Sequence, residues 1–450
     1  MKKRKTLLLV YAASKLRKGF LNNVATRYQP ISLGIIAALT PKDWKIKLID
    51  ENFRDFRYYP ADLVGITAFT STVTRAYEIA AIYREKGIPV VLGGIHASMV
   101  PDEALQYVDS VVTGEAESVW PQLIQDFENG ELKRLYKGVL QPLIKSPRPM
   151  RELFHPGYIF ASIQTSRGCP MDCDFCSVTA FNGKHYRFRP IDDVMVEFEE
   201  IPQKHVFILD DNLIGHNKTT YERAKNLFRE MIRRKLNKSW IGQSSINFAD
   251  DEELLYLAAK SGCKLIFLGI ESEIPDELTQ AGKRFNLMRG VDSYNRIFKK
   301  MNKYGIDVIA GFMFGWDNET PEIIRERTKY ITSCKTNSIQ VTIMTPLPGT
   351  RIFEQLQQEG RLLYTNFPDD WQRYDYYEML FRHQKTDPAV LEAHIHEAWR
   401  KIFSPVQIMR RTFRTWRQTK SLTASYWAYS SNYDFSRIIG IGVNDPDQKY

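Results

Sequence analysis

Short apolar runs rich in β-branched residues alternate with amphipathic segments along the first quarter of the chain. Segment 74–86, between two of these runs, has the apolar spacing of a helix. Such alternation predicts βαβ units and therefore an α/β fold that begins with a doubly wound parallel sheet. The runs that we expect to be its strands are residues 6–12, 45–51, 63–69, 89–94 and 110–115.

Three loops follow predicted strands of this sheet and carry glycine, hydroxyl or charged residues. Ligands of doubly wound sheets bind outside the carboxyl ends of the strands, where these loops are expected to lie. Their backbone N–H groups and hydroxyls suit a phosphate. The candidate binding residues are Thr70, Ser71, Thr72, Gly93, Gly94, His96, Thr113, Gly114 and Glu115.

Four prolines fall within residues 141–157, where no clear periodicity is visible. A stretch of this kind is typical of a linker between domains. We therefore expect a first domain over residues 1–145 and a linker over residues 146–158.

A second alternation follows the linker and contains six strand candidates separated by helical segments. Six β/α units are two fewer than a complete barrel of eight, so residues 159–365 are predicted to form an open, partial (β/α)6 barrel. Its site should lie at the carboxyl ends of the strands, and a mainly helical extension over residues 366–450 completes the chain. The predicted strands are 159–165, 204–210, 239–245, 264–270, 307–314 and 338–344, and the predicted helices are 191–200, 218–235, 251–262, 286–304 and 321–334.

Composition places the chain among soluble globular proteins, since 43% of its 450 residues are hydrophobic and 26% are charged. No apolar stretch reaches the ~18 residues of a membrane span. The start MKKRKTLLLVYAA has the outline of a signal peptide but lacks a small-residue cleavage site, so we interpret it as a first strand. Five cysteines, three of them within eight positions, indicate a reducing, cytoplasmic setting rather than a disulfide framework. Cys263 and Cys334 are assigned to packing.

The net charge of +9 is concentrated near the end of the chain, where residues 400–420 hold seven basic residues and no acidic one. Phe403, Phe413 and Trp416 are interleaved with these cations. Three interpretations stay open: an anionic bilayer surface, RNA bound by phosphate contacts and stacking, or a solvated helix face. No RNA-binding domain is recognisable, so nucleic acid is the least favoured partner.

Three cysteines directly after the first predicted barrel strand carry the strongest chemical signal. Cys169, Cys173 and Cys176 have the spacing C-x3-C-x2-C within the sequence SRGCPMDCDFC. Three thiolates on one tight loop suit a 4Fe-4S cluster that keeps one coordination position open. The alternative is a zinc site completed by His185, although zinc sites more often use pairs with the spacing C-x2-C.

At these residues the chain resembles the radical SAM enzymes, in which such a loop follows the first strand of a partial barrel. The resemblance implies that the open iron chelates S-adenosylmethionine and that one electron from the cluster cleaves a carbon–sulfur bond to give a 5'-deoxyadenosyl radical. It also implies an electron donor such as flavodoxin or ferredoxin.

The same resemblance implies a set of residues that contact S-adenosylmethionine. The sequence VFILDDN replaces the commoner Gly-Gly-Glu at the second strand, the fourth strand ends in GIES, and the fifth reads AGFMFGWDNE. Ser245 and Asn247, which end the third strand, are weaker candidates, and the loop 346–350 follows the sixth strand. The implied contacts are Phe175, Asp210, Asp211, Asn212, Ser245, Glu271, Gly311, Gly315 and Pro346.

A doubly wound domain before the barrel resembles the cobalamin-binding subgroup of the radical SAM enzymes, and the three loops of the first domain are similar to its corrin-binding segments. Many cobalamin proteins place a histidine in D-x-H-x-x-G after the second strand, whereas this chain has DENFRD at 50–55. Bound cobalamin is therefore expected to lack a protein histidine ligand. His96 either contacts the corrin or is a hydrogen-bonded loop residue, and the whole domain could instead be a degenerate docking module.

The resemblance implies an enzyme that methylates an unactivated carbon with methyl groups from cobalamin. Its layout is similar to that of methylases of hopanoid lipids, so we expect a small apolar or lipid-like substrate and a location in the cytoplasm or at the inner face of the membrane. The alternatives are a radical SAM cyclase or oxidoreductase of the tetrapyrrole type, a cobalamin-independent radical SAM enzyme, and an iron–sulfur protein without turnover.

Overall fold

Two parallel sheets, one after the other along the chain, organise the computed structural model, which describes residues 4–14, 27–420 and 422–439. The first sheet has the order β2-β1-β3-β4-β5-β6, and every neighbouring pair is parallel. Its described strands are β1 Thr6–Tyr11, β2 Lys45–Asp50, β3 Leu63–Thr67, β4 Val90–Gly93, β5 Ser110–Thr113 and β6 Leu135–Lys137.

Strand β1 shows why helices cover both faces of this sheet. Successive side chains of a strand point to opposite faces. Leu7 and Leu9 pack in one core with Leu33 and Trp120, whereas Leu8 and Val10 pack in another. The two cores are lined by helices α1 Ile31–Leu39, α2 Val73–Arg84, α3 Ile95–Met99, α4 Pro101–Tyr107 and α5 Trp120–Asn129.

The second sheet is an open, parallel curved layer with the order β14-β13-β12-β11-β10-β7. Its six described strands are β7 Phe160–Ile163, β10 His205–Ile208, β11 Ser239–Ser244, β12 Cys263–Glu271, β13 Asp307–Phe314 and β14 Ser338–Ile343. A separate antiparallel pair, β8 Ser166–Arg167 and β9 Arg187–Phe188, frames the segment that follows β7.

Helices connect these strands and then form the end of the described chain. Those within the second unit are α6 Ser177–Asn182, α7 Ile191–Glu200, α8 Lys218–Arg233, α9 Glu252–Lys260, α10 Pro275–Gln280, α11 Arg284–Arg289, α12 Tyr294–Lys303, α13 Pro321–Ser333 and α14 Arg351–Gln358. The C-terminal helices are α15 Pro388–Ile402, α16 Pro405–Thr419 and α17 Leu422–Ile439. Helices α16 and α17 pack on each other as a hairpin, and α17 also packs on β14.

The predicted fold class is confirmed: a doubly wound sheet, a partial barrel and a helical extension follow in that order. One expectation is wrong, because the helix predicted over 286–304 is broken at Gly290, whose φ of 75° ends α11 before α12 begins. The edge strand β6 was not predicted, since three residues are too short for a period. No described helix is both long and apolar enough to cross a bilayer.

Candidate active site

The cysteine loop is closed at its base by the β8–β9 pair. Arg167 pairs with Arg187, and the amide of Cys169 donates to the carbonyl oxygen of Gly183 at 3.2 Å. Gly168 has a φ of 94°, and a Cβ there would collide with the backbone of His185. Glycine is thus required at this position, which turns the chain into the loop that carries the three cysteines.

The three cysteines of the loop carry free thiols. All three are free of disulfides, and burial raises the pKa of each, that of Cys176 to about 12. A buried thiol of raised pKa is a poor nucleophile. Within the described ranges no three His, Cys, Asp or Glu side chains are close enough to hold one metal ion, and His185, the fourth ligand of the zinc alternative, is exposed. Three unpaired thiols on one loop match the donor set of a 4Fe-4S cluster.

Asp210 and Asp211 lie beyond β10 and fasten the segment just before the cysteines. The buried carboxylate of Asp210 accepts hydrogen bonds from the amide and hydroxyl of Thr165, both at 2.5 Å, and from the hydroxyl of Ser166 at 2.7 Å. Asp211 accepts from the amide of Gly168 at 2.9 Å and from the Asn182 side chain. Both carboxylates are therefore engaged by the protein itself, and their contact with S-adenosylmethionine stays a prediction.

Asn212 and Ser245 are brought together beside the first cysteine. Asn212 Nδ2 donates to Ser245 Oγ at 2.8 Å and lies 3.9 Å from Cys169 Sγ, while its Oδ1 accepts from the amide of Ser245. The weaker candidate Asn247 instead donates to the carbonyl oxygen of Gly215 at 2.6 Å. The ends of β10 and β11 thus present one polar pair next to the cluster loop.

Glu271, at the end of β12, has a conformation that the sequence did not reveal. Its φ is 62°, in the left-handed region that non-glycine residues seldom adopt, and the strand register shifts between Gly269 and Glu271. Glu271 Oε1 accepts a hydrogen bond from Lys283 Nζ at 2.8 Å. Strain of this kind persists where the surrounding structure determines the conformation, and strained residues cluster at active sites.

Lys283 connects Glu271 to the cysteine loop. Burial lowers the pKa of Lys283, but the Glu271 carboxylate and the nearby thiols outweigh this effect and raise the pKa overall. The same ammonium lowers the pKa of Cys173 against the effect of burial. A fixed cation and a fixed carboxylate therefore lie beside the cysteine loop, and they suit the carboxylate and hydroxyl groups of a polar cofactor.

A buried arginine on α13 holds the ends of β12 and β13 in place. Arg327 donates to the carbonyl oxygens of Met313 at 3.0 Å and of Glu271 at 3.2 Å. Three carboxylates surround it, and one of them, Glu319, accepts the amide hydrogen of Gly315 at 2.6 Å. The three acids are Glu273, Glu277 and Glu319.

The predicted adenine side of the site is formed by tight packing. A Cβ at Gly311 would lie 2.6 Å from the ring of Phe267, and Gly315 has a φ of 95°. Phe175 contacts Trp316 edge to face at 6.3 Å between ring centroids. Pro346 is buried at the start of the loop that precedes α14. Each of these positions has a packing role, and their contact with adenine stays a prediction.

His96 lies in a junction between the first domain and the C-terminal extension. Its Nε2 is 3.3 Å from Glu103 Oε1, and its Nδ1 is 3.3 Å from Thr70 Oγ1. Since a carboxylate only accepts, Nε2 carries the proton and Nδ1 accepts from the Thr70 hydroxyl. Tyr77 OH and Trp371 Nε1 also donate to Glu103, at 2.9 and 2.8 Å. His96 lies in α3 and is fully buried among these hydrogen-bond partners, and its contact with a corrin stays a prediction.

The other loop residues of the first domain differ in how they are engaged. Thr72 Oγ1 accepts the amide hydrogen of Phe69 at 3.1 Å, while Phe69 itself is 55% exposed. Ser98 joins the second and third loops, since its hydroxyl donates to the carbonyl oxygen of Gly94 and accepts from the amide of Gly114. Ser71 and Thr113 are half-buried at the same edge.

Gly93 ends β4 at this edge of the sheet. A Cβ there would make only ordinary contacts, the closest at 3.9 Å from the carbonyl oxygen of Val112, so the packing of the protein does not require a glycine. A glycine inside a strand can mark a site where a ligand approaches the backbone closely. Contact of Gly93 with a corrin stays a prediction.

Glu115 ties the first domain to the cluster loop. Its carboxylate lies 2.9 Å from Arg167 and 2.7 Å from Arg187, and Arg167 also contacts Glu117 at 2.6 Å. On the other side of the site, Gly349 lies directly against the thioether of Met99. The carboxyl ends of the two sheets therefore face each other.

The loop after β2, where a cobalt-binding histidine is absent from the sequence, packs on the linker. Asp50 accepts from the hydroxyl of Tyr158. Phe53 stacks on His155 with ring centroids 4.0 Å apart and meets Tyr158 edge to face. Aromatic side chains of the linker therefore fill the space beside this loop.

Three residues near the site were missed from the sequence. Lys283 lies 12 positions from its partner, and Trp371 lies 268 positions from Glu103. Tyr376 has a φ of 76°, and its carbonyl oxygen accepts from the amide of Ile343 at 2.8 Å. No local pattern in the sequence links Lys283 or Trp371 to these partners.

Comparisons with known proteins agree with this geometry. Two family models match the chain, the Radical SAM superfamily over residues 163–331 and the B12 binding domain over residues 17–124. A bacteriochlorophyllide d C-8(2)-methyltransferase of Chlorobaculum tepidum is 28% identical over 419 residues, 88% of this chain and 90% of the relative. A hopanoid C-2 methylase of Rhodopseudomonas palustris is 27% identical over 359 residues, 76% of this chain and 67% of the relative.

A solved structure has the same fold. The radical S-adenosylmethionine methyltransferase TsrM from Kitasatospora setae, with cobalamin and a [4Fe-4S] cluster bound, superposes with a TM-score of 0.69 over 97% of this chain and 99% of that one. The two sequences are 18% identical, so this likeness concerns the fold alone.

Proposed function

Since the chain belongs to the radical SAM superfamily and carries a B12-binding domain, we propose that it methylates an unactivated carbon of a small apolar substrate. The single observation that carries the proposal is the meeting of the two sheets. Arg167, two residues before the first cysteine, contacts Glu117 of the first domain at 2.6 Å. A cofactor on the loops of the first sheet would therefore face one held in the barrel.

Three cofactors are implied, and the residues present fit them. When bound, the 4Fe-4S cluster and S-adenosylmethionine supply hydrogen abstraction from carbon, and cobalamin supplies the methyl group. Cys169, Cys173 and Cys176 would hold the cluster, and the loop at Gly93, where packing does not require a glycine, would approach the corrin.

Polar groups in the barrel would bind and orient S-adenosylmethionine. Glu271 is fixed by Lys283 at 2.8 Å, so its carboxylate is placed to accept hydroxyl hydrogen bonds without reorganisation. Asn212 and Ser245 present a second polar pair beside the cysteine loop. Because these groups are paired before any ligand arrives, little side-chain entropy is lost on binding.

Water would be excluded by the junction between the domains. Trp371 is buried, stacks on Phe367 at 3.6 Å and donates to Glu103 of the first domain. The C-terminal extension thus closes the space beside the first-domain loops. A dry site protects a reactive carbon radical from side reactions.

An apolar substrate is supported by what the relatives are named for. One relative acts on bacteriochlorophyllide d and another methylates hopanoids. Molecules of the second kind partition into bilayers, so we also propose that this protein works at a membrane surface and receives electrons from a small carrier such as flavodoxin or ferredoxin.

Protein purified without oxygen from cobalamin-fed cells provides the test. We expect one corrin and one 4Fe-4S cluster per chain, and a product one methylene heavier when bacteriochlorophyllide d or a hopanoid is supplied. Formation of deoxyadenosine together with S-adenosylhomocysteine indicates methyl transfer, whereas deoxyadenosine alone indicates cyclisation or oxidation. Cys173→Ala should lose cluster and product, while the matched variant Cys263→Ala, at a buried thiol outside the loop, should keep both. A corrin-free protein with an intact cluster would contradict methyl transfer from cobalamin.

A further inference from the structure

Helix α16 has two faces of different character. Its inner face is polar and hydrogen-bonded to the protein: Arg411 donates to Asn432 of α17 at 2.9 Å and to the carbonyl oxygen of Ile402 at 2.6 Å. Thr415 accepts from the Asn337 side chain at 3.0 Å. These contacts fix the rotation of α16, so its other face must point away from the protein.

The outer face of α16 carries four apolar side chains in a line. Val406, Met409, Phe413 and Trp416 follow one another at intervals of three or four residues, the spacing of one helix face. Met409 and Phe413 are 58% and 60% exposed. Single exposed apolar residues are ordinary, but a continuous row marks an interaction surface.

Helix α17 continues the row after the turn at residue 420. Leu422, Tyr426, Tyr429 and Tyr433 are exposed at intervals of four, three and four residues. Tyr429 and Tyr433 stack at 5.7 Å. Aromatic side chains with a polar tip are typical of the boundary between a bilayer and water. We call the outer residues of α16 and α17 together the hairpin face.

Charge selects the partner of the hairpin face. Residues 404–433 contain no acidic residue, and Arg410, Arg417 and Lys420 are exposed among the apolar side chains. A second copy of this chain would bring like charges together. The aliphatic members of the row offer nothing to nucleic-acid bases. An anionic lipid surface satisfies both the cations and the apolar side chains.

We propose that the hairpin face docks this protein on the interface of an anionic bilayer. Phe413, Trp416 and Leu422 enter the boundary between head groups and acyl chains, and the three cations pair with lipid phosphates or carboxylates. This proposal rests on the proposed membrane contact and not on methyl transfer. A failure to bind vesicles would therefore leave the cobalamin result unaffected, and a failure to bind cobalamin would leave the vesicle result unaffected.

The test is sedimentation of the full chain with vesicles of phosphatidylcholine alone and of phosphatidylcholine with about a third phosphatidylglycerol. We expect binding to the anionic vesicles only, weakening as salt rises. The variant Arg410→Gln/Arg417→Gln/Lys420→Gln should partition about 100-fold less. Phe413→Ser/Trp416→Ser should lose at least about 10-fold.

The matched control is Tyr256→Ser, which removes an aromatic side chain that is 52% exposed on α9, far along the chain from the hairpin. It should bind vesicles as the unmodified protein does. Binding that is absent, equal for neutral and anionic vesicles, or unchanged in the hairpin variants would overturn the proposal. A dimer in vesicle-free solution that the hairpin variants separate would overturn it in favour of self-association.

A second measurement is the quenching of tryptophan fluorescence by lipid, and its one variant, Trp416→Phe, keeps an aromatic side chain at its position. Six of the eight tryptophans are buried, and Trp416 is 42% exposed. Lipids brominated on their acyl chains should therefore quench a fluorescence component that Trp416→Phe removes. Absence of quenching in vesicle-bound protein would show that another surface makes the contact.

Discussion

A methyl group added at Gly269 would perturb the predicted binding site for S-adenosylmethionine without perturbing the fold. The Cβ of Gly269→Ala would lie 2.5 Å from Glu271 Oε1 and 2.8 Å from Lys283 Nζ, both of them ends of flexible side chains. The backbone can therefore stay in place while the pair must move. Gly269 has no positive φ, so alanine is sterically allowed there and reduces the freedom of the unfolded chain, which favours folding by about 0.4–1 kcal/mol.

The expected effect of Gly269→Ala is weaker binding of S-adenosylmethionine. If Glu271 accepts a hydrogen bond from this ligand, its displacement removes a bond to a charged group, about 1.5–3 kcal/mol. The dissociation constant should rise about 10- to 150-fold. Gly242→Ala on β11 is the matched control, since its Cβ would meet nothing closer than 3.7 Å.

The assay is anaerobic equilibrium dialysis of labelled S-adenosylmethionine against cluster-loaded protein, with urea unfolding of the same samples. Iron content serves to show that each variant keeps its cluster. Wild-type affinity in Gly269→Ala would refute the role given to Glu271. Equal losses in Gly269→Ala and Gly242→Ala would refute the steric explanation. Glu271→Gln, which keeps the shape of the side chain, should weaken binding in the same direction.

Three further outcomes are expected. Arg327→Met leaves three carboxylates without their buried cation and should lower the free energy of unfolding, measured by urea denaturation, by about 3–5 kcal/mol. A decrease of less than about 1 kcal/mol would contradict the pairing of Arg327 with these carboxylates. Burial lowers the pKa of His96 in the folded protein, so as the pH falls below 6.5 this histidine is protonated in the unfolded chain before it is protonated in the folded one. The free energy of unfolding should therefore fall by up to about 1.4 kcal/mol per pH unit until the pKa of the folded state is passed. His96→Gln should lack this pH dependence, and a pH profile of stability unchanged by the substitution would contradict the role given to His96. Arg167→Met should speed hydrogen exchange in the cysteine loop and release iron faster, whereas Arg148→Met, which breaks an exposed ion pair, should change neither.

The sequence predicted what is encoded locally. Apolar alternation found the strands of both sheets because neighbouring side chains on β1 enter different cores, and the spacing of three cysteines is a property of one short loop. The break at Gly290 was missed because helical periodicity continues on both sides of it. A short edge strand such as β6 has too few residues to show a period.

Roles that depend on distant contacts were beyond the sequence. Nothing near Lys283 shows that its ammonium reaches Glu271, and nothing near Trp371 points to Glu103. Asp210 and Asp211 follow a strand, as ligand-binding carboxylates do, yet each accepts hydrogen bonds from the segment before the cysteines. A carboxylate that anchors a loop and one that binds a cofactor have the same local pattern.

The contact of Arg167 with Glu115 and Glu117 has a consequence for how the protein matures. One arginine, two positions from the first cluster ligand, is shared with the loop that ends β5. A ligand that orders either side restrains the other, and linkage makes that effect reciprocal. Apoprotein given cobalamin first should therefore take up iron and sulfide more completely, and protein given its cluster first should hold cobalamin more tightly, so that each cofactor acts as an assembly aid for the other.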